Sequence, residues 1–199
     1  MTQDKLNGAL FDAVRGGDLE KVKELLASGA QVDARDDDGW QPLHYAARGG
    51  HLPVVKYLIE EQGVQVDAKS TYGSQPLHFA AWHGHLPVVK YLVGERGAQV
   101  DAKDGYGRQP LHHAADDGHL SVVKYLVGEQ GAQVDAKKND GKTPLDFAGR
   151  YPEIQKFLKE WPSTEKAEEM RRDGFGKMAA DVRARQRQLG SLRPKAPGL

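Results

Sequence analysis

The stretch from residue 39 to residue 69, GWQPLHYAARGGHLPVVKYLIEEQGVQVDAK, occurs three times in this chain with few changes. The other copies are GSQPLHFAAWHGHLPVVKYLVGERGAQVDAK at 73–103 and GRQPLHHAADDGHLSVVKYLVGEQGAQVDAK at 107–137. The step is 34 residues each time, and 22 of the 34 columns are identical in all three copies. Self-similarity at a fixed period of roughly 20–50 residues indicates a repeat architecture.

Each copy predicts two short helices. In the first copy Pro42 stands where a helix begins, because proline at the first helical position loses no hydrogen bond. Gly50 suits the left-handed turn that ends this helix. Val54 and Leu58 lie on the apolar stripe of a second helix, which Gly63 ends. Helices this short are unstable alone, so each pair must bury its apolar face against the next. We expect an all-α solenoid of helix-turn-helix units.

The pattern resembles the ankyrin repeat family over residues 5–161. The matching residues of the first copy read G-x-Q-P-L-H-x-A-A-x-x-G-H, then V-V-x-x-L and G-x-x-V, between residues 39 and 66. The resemblance implies an ankyrin solenoid with β-turn fingers between the helix pairs. Two departures stand out. Glutamine replaces the usual threonine at Gln41, Gln75 and Gln109, and we place one extra residue at the end of the second helix, in the loop on the outer side. We hypothesise that the longer amide reaches a histidine of its own or the next unit.

The sequence divides into four segments. We predict an N-terminal capping unit at 1–38, three full repeats at 39–139 and a C-terminal capping unit at 140–161. A basic tail follows at 162–199, partly helical or disordered. Residues 1–161 carry 19 basic and 23 acidic side chains, whereas residues 162–199 carry 9 and 5. The tail is a flexible appendage, folds back on the acidic repeats, or forms a basic helix that grips an acidic partner, RNA or DNA.

Composition narrows the class of protein. The 199 residues include 28 basic and 28 acidic side chains, so no net charge draws the whole molecule to nucleic acid or anionic lipid. There is no cysteine, which removes disulfides, thiolate nucleophiles and cysteine-based zinc sites. The chain shows neither a secretory signal nor a membrane-spanning run. We expect an intracellular, cytoplasmic protein, with the nucleus not excluded, that has no cofactor and is monomeric on its own.

Paired histidines raise the question of a metal site. His44 and His51 recur one and two repeats later as His78/His85 and His112/His119. A metal needs three or four ligands that converge on one point, whereas residues one repeat apart lie along a ladder. The family resemblance implies that the first histidine bonds between neighbouring units and that the second lies at the turn between helices. We interpret both columns as scaffold.

The columns that vary between repeats are free to carry function. In the ankyrin family these columns line the concave face of the fingers and first helices, where partners dock. Trp, Tyr and Arg, the residue types most enriched at binding hot spots, are frequent among them. We therefore predict a partner-binding surface made of Trp40, Arg48, Tyr72, Ser74, Trp82, His83, Tyr106, Arg108, His113, Asp116 and Asp117.

One cluster within this surface has a second interpretation. His113 and Asp117 are four residues apart on one predicted helix, and His112 and Asp116 form a second such pair. Such pairs are found in metal sites and acid–base sites, but also on ordinary solvated helix faces. We favour the solvated face because no nucleophile or oxyanion donor accompanies the cluster.

The sequence predicts a non-catalytic adaptor or scaffold that binds another protein through the concave face. The alternative is a structural subunit of a larger assembly, such as a ribonucleoprotein, anchored by the basic tail. Contact with nucleic acid through the tail is the weaker possibility, and no membrane partner is expected.

Overall fold

The computed structural model describes residues 2–161, so the predicted basic tail lies outside the described residues. Helices occur in pairs along this part of the chain. They are α1 (Gln3–Gly16), α2 (Leu19–Ala27), α3 (Pro42–Arg48), α4 (Leu52–Glu60), α5 (Pro76–Trp82), α6 (Leu86–Lys90), α7 (Pro110–Asp116), α8 (Leu120–Lys124), α9 (Pro144–Phe147) and α10 (Pro152–Glu160). A 3-10 turn, Ala148–Arg150, joins the last two. No strand occurs between residues 2 and 161, and no helix there is long and apolar enough to cross a bilayer.

The helices stack in two rows. The odd-numbered helices pack in chain order against one another, and so do the even-numbered helices. Leucines of the first helices and the valine pairs of the second helices are fully buried between the rows. Ala46 and Ala47, with their counterparts in α5 and α7, are also fully buried and allow the first helices to approach closely. The all-α repeat solenoid expected from the sequence is confirmed.

In the second and third repeats the extra residue lies in the last turn of the second helix and not in the outer loop where we expected it, whereas α4 of the first repeat ends as a regular helix at Glu60. Helices α6 and α8 continue into π-helical turns at Tyr91–Glu95 and Tyr125–Glu129. The N–H groups of Arg96 and Gln130 donate to the carbonyls five residues earlier, at 3.0 and 3.1 Å. A π turn holds one residue more than an α turn, so it accommodates the inserted residue while the preceding part of the helix stays regular.

Fingers connect one helix pair to the next. Each finger closes with a turn in which a glycine donates to the carbonyl three residues earlier, as from Gly73 to Ser70 at 2.9 Å. Neighbouring fingers are also bonded to each other. Tyr72 O accepts from Gly105 N–H at 2.7 Å, and Tyr106 O accepts from Asn139 N–H at 3.1 Å. The fingers therefore form a continuous hydrogen-bonded edge beside the first helices.

The glutamines before the first helices do not use their amides as we hypothesised. The backbone N–H of Gln75, not its side chain, donates to Nδ1 of His78 at 3.1 Å, and Gln41 and Gln109 repeat this bond. The side-chain oxygens of Gln75 and Gln109 are buried and have no hydrogen-bond partner among the described residues. A buried acceptor left unpaired costs roughly 1–3 kcal/mol.

Candidate functional site

The first histidine of each repeat bonds the finger that leads from its unit to the following one. Because Nδ1 of His44 accepts from Gln41, its Nε2 carries the proton and donates to Ala68 O at 3.0 Å. His78 reaches Ala102 O at 3.0 Å, and His112 reaches Lys142 O at 3.3 Å. Burial lowers the pKa of His44 and of His78 to about 4, so both rings are neutral near pH 7.

The second histidine of each repeat joins its unit to the preceding one. Nε2 of His51, His85 and His119 lies 2.8–2.9 Å from the carbonyl oxygen of Arg15, Arg48 and Trp82, respectively. Each of these carbonyls lies at the end of the neighbouring first helix. Both histidine columns are scaffold, as the sequence predicted. Among residues 2–161 no group of three or more His, Cys, Asp or Glu side chains is placed to hold a metal ion.

A second pair of columns, nine residues apart, couples each finger to the first helix that follows it. In the first repeat Tyr45 donates from its hydroxyl to Asp36 at 2.5 Å. The same columns hold His113 and Asp104 two repeats later, with Nε2 and Oδ2 3.1 Å apart. In the capping unit Lys138 lies over the ring of Phe147, 6.0 Å from its centroid. The middle repeat has Ser70 and Phe79 at these columns, so an apolar ring replaces the hydrogen-bonded side chain that the first and third repeats have there.

That apolar ring belongs to a line of aromatic side chains in contact with one another. Ring centroids of Trp40 and Phe79 lie 4.2 Å apart, those of Phe79 and Trp82 lie 6.5 Å apart, and those of Trp82 and His113 lie 5.6 Å apart. Phe79 is buried, whereas Trp82 is 40% exposed at the end of α5. We call these four side chains the aromatic floor.

The aromatic floor forms the base of a groove of about 330 Å³ between the fingers and the first helices. Tyr72 and Tyr106, from two adjacent fingertips, are 51% and 59% exposed and stand at its edge. Together with Trp82 they are the exposed large hydrophobic side chains of residues 2–161. The lining consists of Trp40, Ser70, Tyr72, Ser74, Phe79, Trp82, Asp104, Tyr106, Arg108, His113 and Lys138.

The groove brings together seven of the eleven residues predicted as a binding surface: Trp40, Tyr72, Ser74, Trp82, Tyr106, Arg108 and His113. Arg48 lies outside it, with its guanidinium 5.5 Å from the Trp40 ring and 3.4 Å from His83 Nε2. Asp116 forms an ion pair with Arg108 at 3.5 Å. Asp117 is exposed at the end of α7. His112, His113 and Asp116 therefore contact three different partners, and Asp117 faces solvent, so the four side chains do not form one site.

His113 contributes to the groove as a packed ring, because only 7% of the residue is exposed. Burial alone would raise the pKa of Asp104, but hydrogen bonds from His113 and from the N–H groups of Arg108 and Tyr106 lower it. This carboxylate is satisfied internally and offers little to a partner. Helix or strand periodicity does not predict this pairing, because residues nine apart across a finger are not neighbours in any regular helix or strand.

Ser70, Phe79, Asp104 and Lys138 line the groove but were not among the predicted site residues. All four belong to the paired columns nine residues apart. Their joint variation between repeats, from a tyrosine–aspartate pair to a phenylalanine–serine pair, is the signal that could have identified them.

Comparison with known proteins identifies the family. Two models that describe ankyrin repeats match residues 10–104 and 95–148, which together span most of the paired helices. This chain is an ankyrin repeat protein. Ankyrin repeats mediate binding to other proteins, and their family is typically non-catalytic. Family membership therefore gives the chain a general role in protein–protein interaction.

Curated relatives match over a shorter length. Mouse protein phosphatase 1 regulatory subunit 27 is 47% identical over 51 residues, which is 26% of this chain and 33% of that protein. The Notch-regulated ankyrin repeat-containing protein of Xenopus tropicalis is 49% identical over 51 residues, 26% of this chain and 45% of the relative. The alignments thus span a third to just under a half of these relatives.

Proposed function

We propose that this ankyrin repeat protein is a non-catalytic intracellular adaptor that binds a partner protein through the groove between its fingers and first helices. The observation that carries the proposal is the position of Trp82, Tyr72 and Tyr106. All three are exposed, and all three line one groove. Exposed apolar side chains that are gathered in one place, rather than scattered, mark interaction sites. We expect this surface to be the concave face.

The polar groups of the groove support binding rather than catalysis. The imidazole of His113 is held by Asp104, and the hydroxyl of Ser70 accepts a hydrogen bond from the N–H of Ser74 at 3.2 Å. Neither group is arranged as a nucleophile beside its base. A relative that is named a regulatory subunit of a phosphatase is consistent with an adaptor that works by binding.

The test is to recover partners with the wild type and with the double variant Tyr72→Ala/Tyr106→Ala. Both side chains are more than half exposed, and their finger hydrogen bonds use the backbone, so the variant keeps its fold. The matched control is Gln99→Ala/Gln133→Ala, which removes exposed side chains from the loops after the second helices. Loss of two interface tyrosines is expected to weaken the affinity for the partner by at least about 30-fold. Equal recovery with all three proteins, measured by quantitative mass spectrometry, would show that the groove is not the binding site.

A further inference from the structure

The charged side chains that line the groove differ in how accessible they are to a partner. Three charged residues line it: Arg108, Lys138 and Asp104. The carboxylate of Asp104 is almost inaccessible, with 2% of its side chain exposed, and it already accepts three hydrogen bonds. The side chains of Arg108 and Lys138 are 30% and 14% exposed, so Arg108 is the more accessible of the two cations. The accessible fixed charge of the lining is therefore positive.

The two cations lie at one end of the groove. The guanidinium of Arg108 and the ammonium of Lys138 lie 4.8 and 6.0 Å from the centroid of the same ring, Phe147. Each has one acidic neighbour, Asp116 at 3.5 Å and Asp140 at 2.7 Å. A guanidinium has five N–H donors, so a single ion pair leaves Arg108 with donors for an incoming carboxylate.

The other end of the groove is aromatic. Trp40, Phe79 and Trp82 form its base, and Tyr72 stands above them on a fingertip. A volume of about 330 Å³ is at the lower limit of ligand pockets, which hold one or two large side chains rather than a folded element. The two ends together suit a short piece of chain that carries an apolar anchor and a negative charge.

We propose that the groove binds an acidic linear segment of the partner protein. One aromatic or large aliphatic side chain packs on the aromatic floor, and an aspartate or glutamate within the next few residues pairs with Arg108 and Lys138. This inference rests on the proposed function and adds the chemistry of the partner. The tail of this chain does not match, because residues 162–199 carry 9 basic and 5 acidic side chains.

The test is a selection from a displayed library of random linear peptides on the full-length protein, with counter-selection on Trp82→Ala. Peptides that depend on Trp82 are expected to combine a large apolar residue with Asp or Glu and to lack Lys and Arg beside it. Groove-dependent peptides without that acidic preference overturn this inference and leave the proposed function standing. A selection without any Trp82-dependent peptide overturns both.

The charge contact is then measured with one selected peptide and its Asp→Asn or Glu→Gln version. The amide peptide is expected to bind the wild type about tenfold more weakly than the acid peptide does, and this difference should shrink in Arg108→Ala, which leaves only Lys138 to pair with the carboxylate. The control Arg96→Ala removes the same charge after the second helix of its unit and should keep the full difference. Because the change on the peptide leaves the protein intact, an unchanged affinity for the wild type contradicts the proposed ion pair even if Arg108→Ala folds poorly. Binding that is insensitive to salt contradicts it as well.

Discussion

His85 lies directly on Gly50 of the preceding repeat: a Cβ at that glycine would stand 2.5 Å from Nδ1 of the ring. The glycine also has a φ of +71°, in the left-handed region that other residues rarely adopt. The position is restricted twice, by its own backbone and by its neighbour's side chain. Gly17 and Gly84 have the same relationship to His51 and His119, and Gly118 has it to Tyr151 in the capping unit.

A comparison of Gly63→Ala with Gly50→Ala separates the backbone strain from the clash with the histidine ring. Gly63 has a φ of +70° but open space around it, so its replacement costs only backbone strain, about 1–2 kcal/mol. Gly50→Ala adds the clash with His85 and is expected to lower the free energy of unfolding by at least about 1–3 kcal/mol more. Urea denaturation of the two variants measures the difference. Equal losses would mean that the ring moves aside without cost.

Stability is expected to fall as the pH drops from about 6.5 towards 4. The pKa of His44 and of His78 is lowered to about 4 in the folded state, so the unfolded chain binds more protons between these values. Each ring therefore contributes stability that is complete above about pH 6.5 and decreases below it, by up to about 3 kcal/mol per ring near pH 4. The pKa of His112 is lowered by burial in the same direction.

The measurement is urea denaturation at pH values from about 7.5 to 4.5, with the histidine rings followed by NMR. Asp104 and Asp140, whose pKa values are lowered from 3.8, lose their contribution only at lower pH and do not obscure this window. A free energy of unfolding that stays constant down to about pH 4.5, or a His78 ring that titrates near 6.5, would contradict the assignment.

Gln75→Thr is expected to leave stability unchanged or raise it by about 1 kcal/mol. The substitution removes a buried amide oxygen that has no partner among the described residues. Threonine is also the better N-cap, and Thr143 already serves at this position in the last unit, where its hydroxyl donates to Asp146 at 2.8 Å. Gln99→Thr, at an exposed loop position, is the control in thermal denaturation. A loss above about 1 kcal/mol would reveal a bond to the amide of Gln75.

Trp40→Ala and Trp82→Ala are expected to lower stability by different amounts, but both should weaken the affinity for the partner. Trp40 is half-buried between Tyr45 and Phe79, with ring centroids at 5.0 and 4.2 Å, so its removal should cost about 2 kcal/mol or more. Trp82 is partly exposed, so its removal should cost less than about 1 kcal/mol. Chemical denaturation and partner affinity, measured on both variants, test this. A binding loss confined to Trp40→Ala would point to misfolding rather than to a lost contact.

Deletion of residues 162–199 is expected to leave partner affinity unchanged, because every groove residue lies between 40 and 138. If the chain is instead held in an assembly by its basic tail, the deletion abolishes incorporation. Nucleic-acid affinity then falls steeply with salt for the full chain and not for the truncated one. Affinity measurements on both forms, at two salt concentrations, distinguish the two roles.

The scaffold was predictable from sequence because its residues recur at a fixed step. The prolines that open the first helices, the alanine pairs and both histidines occupy the same column in every copy, so periodicity alone assigned them to packing. The position of the extra residue, at the end of the second helix, was also predictable, but the expected loop was wrong for the second and third repeats, where a π turn accommodates it. Sequence spacing does not distinguish the two, because an inserted residue fits a loop or a π turn equally well. In those two repeats the π turn begins at Tyr91 and Tyr125, which are buried in the core.

The candidate site was predictable only in part. Variation between copies identified the columns of the fingers and first helices, and seven of the eleven residues line one groove. Variation does not tell an exposed side chain from one that is buried with a matched partner. For that reason His113 was predicted as a surface contact, while its pairing with Asp104 was missed. The predicted tail, residues 162–199, lies outside the described residues, so its three interpretations stay predictions.

The two histidines of a repeat give it a direction as well as a fold. One ring bonds the finger at the far edge of its own unit, and the other donates backward onto the preceding helix. A middle unit such as 73–106 therefore donates to the unit before it through His85, and its Trp82 carbonyl accepts from His119 of the unit after it. An additional copy spliced in at this step would find an acceptor in the unit before it and a donor in the unit after it. The array is thus built to be lengthened one unit at a time, and each added unit would present a further set of variable side chains.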